Sequence, residues 1–172
     1  MKTSANRLKI VLTTLLLTSM LQTNAQVNYK IHSLFMYKFT QYIEWPANSG
    51  DFVIGVIGNS PIISELESIA ATKKVDTRNI VVKKMSASAD LSGCQMVFIS
   101  EGQSSSIGSI AAKLQGKPIL LVSESPGAAK KGSGINFVIV DDKMKFELNK
   151  AAVEKQGLKV SGDLAKLAIV VG

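Results

Sequence analysis

His32 and Cys94 are suited to nucleophilic, acid–base or metal chemistry, and each is the only residue of its type in the chain. A structural zinc site requires about four Cys or His ligands, so one residue of each type nearly excludes it. A catalytic triad on His32 would need partners that the sequence does not mark, and we interpret His32 as a surface or helix-edge histidine. Cys94 stands at the start of an apolar run, which predicts a buried structural thiol. An exposed thiol that pairs between molecules is the alternative.

A pair of glycines spans the junction between a predicted strand and a predicted helix. Gly55 and Gly58 have the spacing G-x-x-G, and Ser60 and Pro61 follow at the expected helix start. The free N–H groups of a helix N-terminus can cradle a phosphate. Dinucleotide binding, however, requires G-x-G-x-x-G, and the phosphate loop G-x-x-x-x-G-K-[ST] is also absent. We therefore interpret this segment as a tight turn between strand and helix.

The remaining polar residues form no recognisable catalytic pattern. The acidic residues are dispersed, and the adjacent Asp141 and Asp142 suit a turn. Three serines at residues 104–106 precede a predicted helix, and the nucleophile motif G-x-S-x-G is absent. The sequence therefore marks no catalytic residues, no cofactor-binding motif and no metal site.

Aromatic residues are concentrated in residues 31–46, which end in Trp45 and Pro46. Apolar residues recur in this segment at three- and four-residue spacing, which predicts one face of a helix. These residues are Ile31, Leu34, Phe35, Phe39, Tyr42 and Ile43. A proline disfavours the helical conformation at the residue before it, so the helix is expected to stop at Trp45.

The two sides of this aromatic helix predict different roles. Phe35, Phe39 and Tyr42 lie on the apolar stripe and are expected to form the core that faces the sheet. Tyr37 and Trp45 fall off the stripe. Because Tyr and Trp are favoured anchors in protein interfaces, we predict that these two residues contact a partner.

Strand-like and helix-like segments alternate after the aromatic helix. The predicted strands are residues 52–57, 79–84, 95–100 and 117–123, followed by a hairpin of 135–140 and 144–148. The later predicted helices are residues 62–71, 107–114, 150–156 and 162–171. This order predicts an α/β fold, a three-layer α-β-α sandwich whose mixed sheet has about five to six strands and helices on both faces.

The N-terminal residues have the pattern of a secretory signal peptide. Basic residues precede an apolar stretch, and residues 23–25 form a cleavage site of the small-x-small type. We expect a signal peptide at residues 1–25, cleavage near Ala25, and a single exported domain at 26–172. A retained membrane anchor is the alternative. The chain has a net charge of +7, but its basic residues are scattered, so nucleic-acid binding is not expected.

Several motifs occur in order along the predicted mature chain. The aromatic helix ends in YKFTQYIEWP at residues 37–46, and Cys94 lies in LSGCQMVFI at residues 91–99. The other motifs are FVIGVIG at 52–58, ILLVSE at 119–124, GINFV at 134–138, KFELN at 145–149, GLKVS at 157–161 and LAKLA at 164–168. Together they resemble the YfiR-like family of periplasmic regulatory proteins, whose members are largely uncharacterised exported bacterial proteins.

The resemblance implies a non-enzymatic periplasmic regulator with a three-layer α/β sandwich and no cofactor. It implies protein–protein contact with a membrane-bound signalling enzyme that has a periplasmic domain, either a diguanylate cyclase of cyclic-di-GMP signalling or a sensor kinase. An outer-membrane lipoprotein that relieves this control, and a homodimer, are further implied partners. The best-known member relies on disulfides, whereas Cys94 alone cannot form an intramolecular one.

A periplasmic small-ligand sensor is the alternative function. Open α/β sheets bind ligands beyond the carboxyl ends of their parallel strands. In this chain those ends are expected near residues 58–60, 101–104 and 123–126. A hydrolase is a third and weaker hypothesis, because no catalytic pattern supports it.

Overall fold

Helices and strands alternate along the residues that the computed structural model describes, 28–47 and 49–172. The α-helices of this part are α1 (Tyr29–Tyr42), α2 (Ile62–Ala70), α3 (Ile107–Lys113), α4 (Lys150–Lys155) and α5 (Gly162–Leu167). Its strands are β1 (Ile43–Glu44), β2 (Phe52–Ile57), β3 (Lys74–Val75), β4 (Arg78–Met85), β5 (Met96–Ile99), β6 (Leu120–Ser123), β7 (Ile135–Val140), β8 (Lys143–Leu148), β9 (Lys159–Val160) and β10 (Ile169–Val170). The predicted signal peptide, residues 1–25, lies outside the described residues.

Most strands belong to one sheet of eight, in the order β10-β8-β7-β6-β5-β2-β4-β3. In this order β7, β6, β5, β2 and β4 are parallel to their neighbours within this group. Strand β8 pairs antiparallel with β7, and β3 pairs antiparallel with β4. The predicted α/β class is therefore confirmed. The predicted size of five to six strands is wrong, because the edge strands β3 and β10 have only 2 residues each, too few to show a period in the sequence.

The C-terminal segment departs from the helix predicted over residues 162–171. Helix α5 ends at Leu167, which is 69% exposed, and Ile169–Val170 then pairs in parallel with β8. The apolar spacing of this segment suits a helix, but backbone pairing with an available strand edge outweighs that local preference.

The central strands are buried on both faces, which explains why their sequences show little alternation of apolar and polar residues. In β5, Met96 and Phe98 pack in one apolar cluster with residues of α1 and α2, whereas Val97 and Ile99 pack in another with residues of α3. Because consecutive strand residues point to opposite faces, the two clusters lie on opposite faces of the sheet.

Helix α1 buries a different stripe from the one that its apolar residues predict. Its buried residues are His32, Ser33, Met36, Phe39 and Thr40. Ile31 and Leu34, which the apolar spacing places on the buried stripe, are 39% and 49% exposed. Aromatic contacts determine this rotation, because the rings of His32 and Phe39 both stack on Phe137, at centroid distances of 4.2 and 5.9 Å.

Both ends of α1 have a local cause. The Asn28 side chain caps the first turn by accepting a hydrogen bond from the backbone N–H of Ile31. The helix ends at Tyr42, before the predicted stop at Trp45, because Ile43–Glu44 leaves it to pair antiparallel with β9. Because the helix ends at Tyr42, Trp45 lies outside it.

Candidate functional site

The carboxyl ends of β5 and β6 lie side by side, because Ile99 pairs with Ser123. A carboxylate residue follows each of them, Glu101 after β5 and Glu124 after β6. Strand β7 pairs with β6 only through its first two residues, so the rest of β7 projects past the end of β6. A cavity of about 380 Å³ opens at this point. Its lining residues are His32, Glu101, Glu124, Pro126, Phe137, Val138 and Ile139.

The cavity lies at the sheet edge where the alternative hypothesis, a small-ligand sensor, predicts a binding site. Two of the three expected segments, residues 101–104 and 123–126, contribute lining residues. The third segment, residues 58–60, does not line the cavity. Gly58 has φ of +102° there, and a side chain on it would collide with Ser100, so this segment is a tight turn as predicted.

His32 and Glu124 form a buried pair in this cavity. Their side chains are 4% and 6% exposed, and His32 Nδ1 lies 3.7 Å from Glu124 Oε2. A hydrogen bond between nitrogen and oxygen spans about 2.7–3.2 Å, so the pair is too far apart to form one. Neither atom has another hydrogen-bond partner within the described ranges. The prediction of a surface or helix-edge histidine is wrong, because α1 places the ring face to face with Phe137.

The other oxygen of Glu124 is held in place. Oε1 accepts a hydrogen bond from the Tyr29 hydroxyl at 3.4 Å and from the Glu101 backbone N–H at 3.3 Å. The Tyr29 ring also contacts His32 edge-on, with centroids 5.6 Å apart. The carboxylate is thus anchored through one oxygen and presents the other, unpartnered, towards His32.

Burial controls the protonation of these groups. It lowers the pKa of His32 from 6.5 to about 4 and raises the pKa of Glu124 above its ordinary value. Burial, together with the charge of Glu124, also raises the pKa of Tyr29. At neutral pH, His32 is therefore an uncharged imidazole.

A buried polar network fixes the backbone on both sides of Glu124. The Asn136 Oδ1 accepts hydrogen bonds from the Ser123 hydroxyl at 2.9 Å and from the Ser125 backbone N–H at 3.1 Å. The Asn136 Nδ2 donates to Glu147 Oε2 at 2.8 Å. Because Ser123, Ser125 and Asn136 are all buried, these bonds restrict the position from which Glu124 enters the cavity.

The sequence contains little that relates His32 to Glu124. One residue is on the first helix and the other follows the fourth strand of the parallel series, so no local spacing connects them. The available signal is the position of Glu124 at the end of a parallel strand. The proximity of α1 to that strand end can be predicted only when the order of the strands in the sheet is known.

Tyr37 and Trp45, the predicted partner contacts, are half-buried and both have contacts within the chain. The Tyr37 hydroxyl donates to the Lys74 carbonyl at 3.3 Å. The Trp45 ring packs edge-on against Phe52 at 5.2 Å, and its Nε1 donates to the Gln95 carbonyl at 3.1 Å. Contact of either residue with a partner stays a prediction.

Replacing Trp45 with Phe is expected to lower the free energy of unfolding by about 1 kcal/mol, because the hydrogen bond to Gln95 is lost while packing on Phe52 is retained. The Gln95 carbonyl keeps the Leu120 backbone N–H at 2.9 Å, so it is not left without a donor. Urea denaturation measures the change.

Tyr37→Phe is the matched control, because it removes an exposed hydroxyl hydrogen bond from a half-buried ring. Its expected effect is below about 0.5 kcal/mol. Equal losses in the two variants would contradict the interpretation that the indole hydrogen bond anchors the segment after β1.

Five residues are predicted to have a structural role, and they occupy different environments: Phe35, Phe39, Tyr42, Pro46 and Cys94. Phe39 is fully buried in the larger apolar cluster, and Phe35 and Tyr42 pack half-buried against it. Pro46 is exposed. Cys94 is buried, its Sγ lies 3.5 Å from Met85 Sδ, and burial raises the pKa of its thiol.

Within residues 28–47 and 49–172, no three His, Cys, Asp or Glu side chains cluster in a way that could hold a metal ion. None of the helices in the same ranges is long and apolar enough to cross a membrane.

Comparison with protein families agrees with the motifs and the fold. The family model described as YfiR/HmsC-like matches residues 29–169, from the first residue of α1 to the first residue of β10. The match includes His32, Glu124 and the cavity between them. The chain therefore belongs to the YfiR/HmsC-like family.

Proposed function

We propose that this protein is a non-enzymatic periplasmic regulator that controls a membrane-bound signalling enzyme by protein–protein contact. The observation that carries the proposal is the YfiR/HmsC-like match over residues 29–169. The controlled enzyme would be a diguanylate cyclase of cyclic-di-GMP signalling or a sensor kinase, recognised through its periplasmic domain.

Export is part of the same proposal. The signal peptide of residues 1–25 would be cleaved near Ala25 and would leave residues 26–172 as one domain in the periplasm. The family match, which begins at residue 29, supports this boundary. N-terminal sequencing of the exported protein tests it, and a mature protein that retains residues 1–25 would contradict it.

The partner contacts proposed for this function involve the half-buried rings of Tyr37 and Trp45. Their placement on α1 and directly after β1 puts both near the start of the domain. An outer-membrane lipoprotein and a second copy of this chain are additional proposed partners.

Cross-linking of the tagged protein in intact cells, followed by mass spectrometry of the membrane fraction, tests the regulator function. We expect recovery of an inner-membrane signalling protein with a periplasmic domain, and reduced recovery with Tyr37→Ala. Lys38→Ala, an exposed change on the same helix, is the matched control and should leave recovery unchanged. Failure to recover any membrane signalling protein or outer-membrane lipoprotein would overturn the proposal.

A small-ligand sensor is the second candidate function, and the cavity next to His32 and Glu124 favours it. Ligand pockets are concave, largely apolar and supplied with a few fixed polar groups, and this cavity has all three properties. Thermal-shift screening with a small-molecule library tests this function. Stabilising compounds should lose their effect in Ile139→Trp, which adds bulk on the same face of β7 as Phe137, and absence of any stabilising compound would contradict the sensor function.

A further inference from the structure

Two neighbouring polar atoms are buried in this cavity. Glu124 Oε2 and His32 Nδ1 are 3.7 Å apart and lack hydrogen-bond partners in the described part of the chain. A buried polar atom without a partner costs about 1–3 kcal/mol, so a ligand that satisfies both atoms gains from each of them. An uncharged imidazole can present Nδ1 as an acceptor, and an ionised carboxylate only accepts. In these two protonation states both atoms accept, and a ligand group that donates two hydrogens would satisfy both.

The acidic residues that line the cavity favour a positively charged donor. Among the residues that the structure describes, the cavity's titratable lining residues are His32, Glu101 and Glu124, and none of the described Lys or Arg residues lines it. A ligand carboxylate or phosphate placed next to Glu124 would meet a like charge without a basic residue to offset it. An ammonium group instead forms a charge-assisted hydrogen bond with a carboxylate, which is about twice as strong as a neutral one.

The remaining walls are apolar. Phe137 and Ile139 line the cavity from one face of β7, with Val138 between them along the strand, and Pro126 lines it from the loop after β6. A volume of about 380 Å³ is at the low end of the range of ligand pockets, about 300–1,000 Å³. The space accommodates a ligand with one polar end and one compact apolar or aromatic end.

We propose that this cavity binds a small primary amine, whose ammonium group donates to His32 Nδ1 and Glu124 Oε2 and whose apolar part packs on Phe137 and Ile139. The proposal rests on the sensor function above and specifies its ligand class. Glu101, exposed at the rim, adds negative potential but does not make the buried contact. The bound amine completes the hydrogen bonding of a pair that the described part of the chain leaves without partners.

Titration of the exported protein with 2-phenylethylamine, 2-phenylethanol and 3-phenylpropionate tests the proposal, because the three probes share a ring and differ in the terminal group. Isothermal titration calorimetry should give an affinity for the amine at least about tenfold higher than for the alcohol. The carboxylate should not bind. His32 is the only histidine, so its imidazole nitrogen resonances form a single NMR probe that should shift with the amine.

Two variants locate the binding. Glu124→Gln should weaken amine binding by about tenfold or more, because the charge-assisted bond is lost. Glu101→Gln, the matched change at the exposed rim, should weaken it less than about threefold, as expected for a solvent-screened charge. Should Glu124→Gln fail to fold, the His32 resonances of the unchanged protein still report whether the amine reaches the pair.

The outcomes separate the ligand class from the sensor function. Equal binding of the amine, the alcohol and the carboxylate would overturn the amine class and leave the sensor function standing. Amine binding that leaves the His32 resonances unchanged, or that both Gln variants weaken equally, would also overturn the proposal. If none of these probes binds, the amine class is overturned. If the library screen also yields no stabilising compound, the sensor function is overturned as well.

Discussion

Replacing Phe39 with Ala is expected to lower the free energy of unfolding by about 3–5 kcal/mol. Phe39 is 0% exposed and lies among three other aromatic rings, with centroid distances of 6.2 Å to Phe35, 5.9 Å to Phe137 and 5.2 Å to Phe146. Truncation removes its buried apolar surface and leaves a cavity that three large rings cannot easily fill. Aromatic pairs add about 0.5–1.5 kcal/mol beyond burial, which places the loss in the upper part of the range.

Leu34→Ala is the matched control for this prediction. It truncates an apolar residue on the same helix that is 49% exposed, and the expected loss is below about 1 kcal/mol. Urea denaturation of both variants measures the difference in unfolding free energy. If Leu34→Ala cost as much as Phe39→Ala, helix α1 would have to bury the stripe that its apolar spacing predicts rather than the one described above.

Lowering the pH from 7 to 5 is expected to reduce the unfolding free energy by about 2 kcal/mol through His32 alone. The pKa of His32 is about 4 in the folded protein and 6.5 as the ordinary value, so the unfolded chain takes up its proton first. The contribution of His32 is therefore complete above pH 6.5, and it is lost as the pH falls from 6.5 towards 4.

Glu124, which faces His32, contributes with the opposite sign. Its pKa is raised in the folded state, so the folded protein binds that proton more readily and gains stability as the pH falls. Tyr29 has its pKa raised from 10.0 and does not titrate in this interval. The net pH dependence of the protein is thus smaller than the contribution of His32.

Comparison of the protein with His32→Phe isolates the histidine, because the variant retains an aromatic ring against Phe137 and keeps Glu124. His32 is the only histidine, so no other imidazole enters the difference. When the pH is lowered from 7 to 5, the free energy of unfolding should fall by about 2 kcal/mol more in the unchanged protein than in the variant. Identical pH dependence in both proteins would show that His32 is not buried uncharged.

Local patterns were sufficient for much of the fold. The apolar spacing of residues 52–57 and 62–71 predicts β2 and α2 nearly to the residue, and the predicted hairpin corresponds to β7 and β8. These elements follow from side-chain periodicity and turn chemistry, which act over a few residues. The two-residue strands β3 and β10 have no such period, so the number of strands was underestimated.

The candidate site, like the fold, was predictable only in part. The strand ends after β5 and β6 were expected to border a ligand site, because parallel strands place their carboxyl ends at one edge. His32 was not expected there, since its neighbours Ile31 and Leu34 suggested that a different stripe of α1 was buried. The rotation of the helix depends on the rings of β7 and β8, which are distant in the sequence.

The sequence by itself determined the α/β class, the position of most helices and strands, and the family motifs, because each depends on residues that are close along the chain. Only the tertiary structure decided which side of α1 faces the sheet and that His32 meets Glu124. Those two features arise where a helix, two strand ends and a projecting strand converge, and packing energy selects that arrangement over the local apolar pattern of the helix.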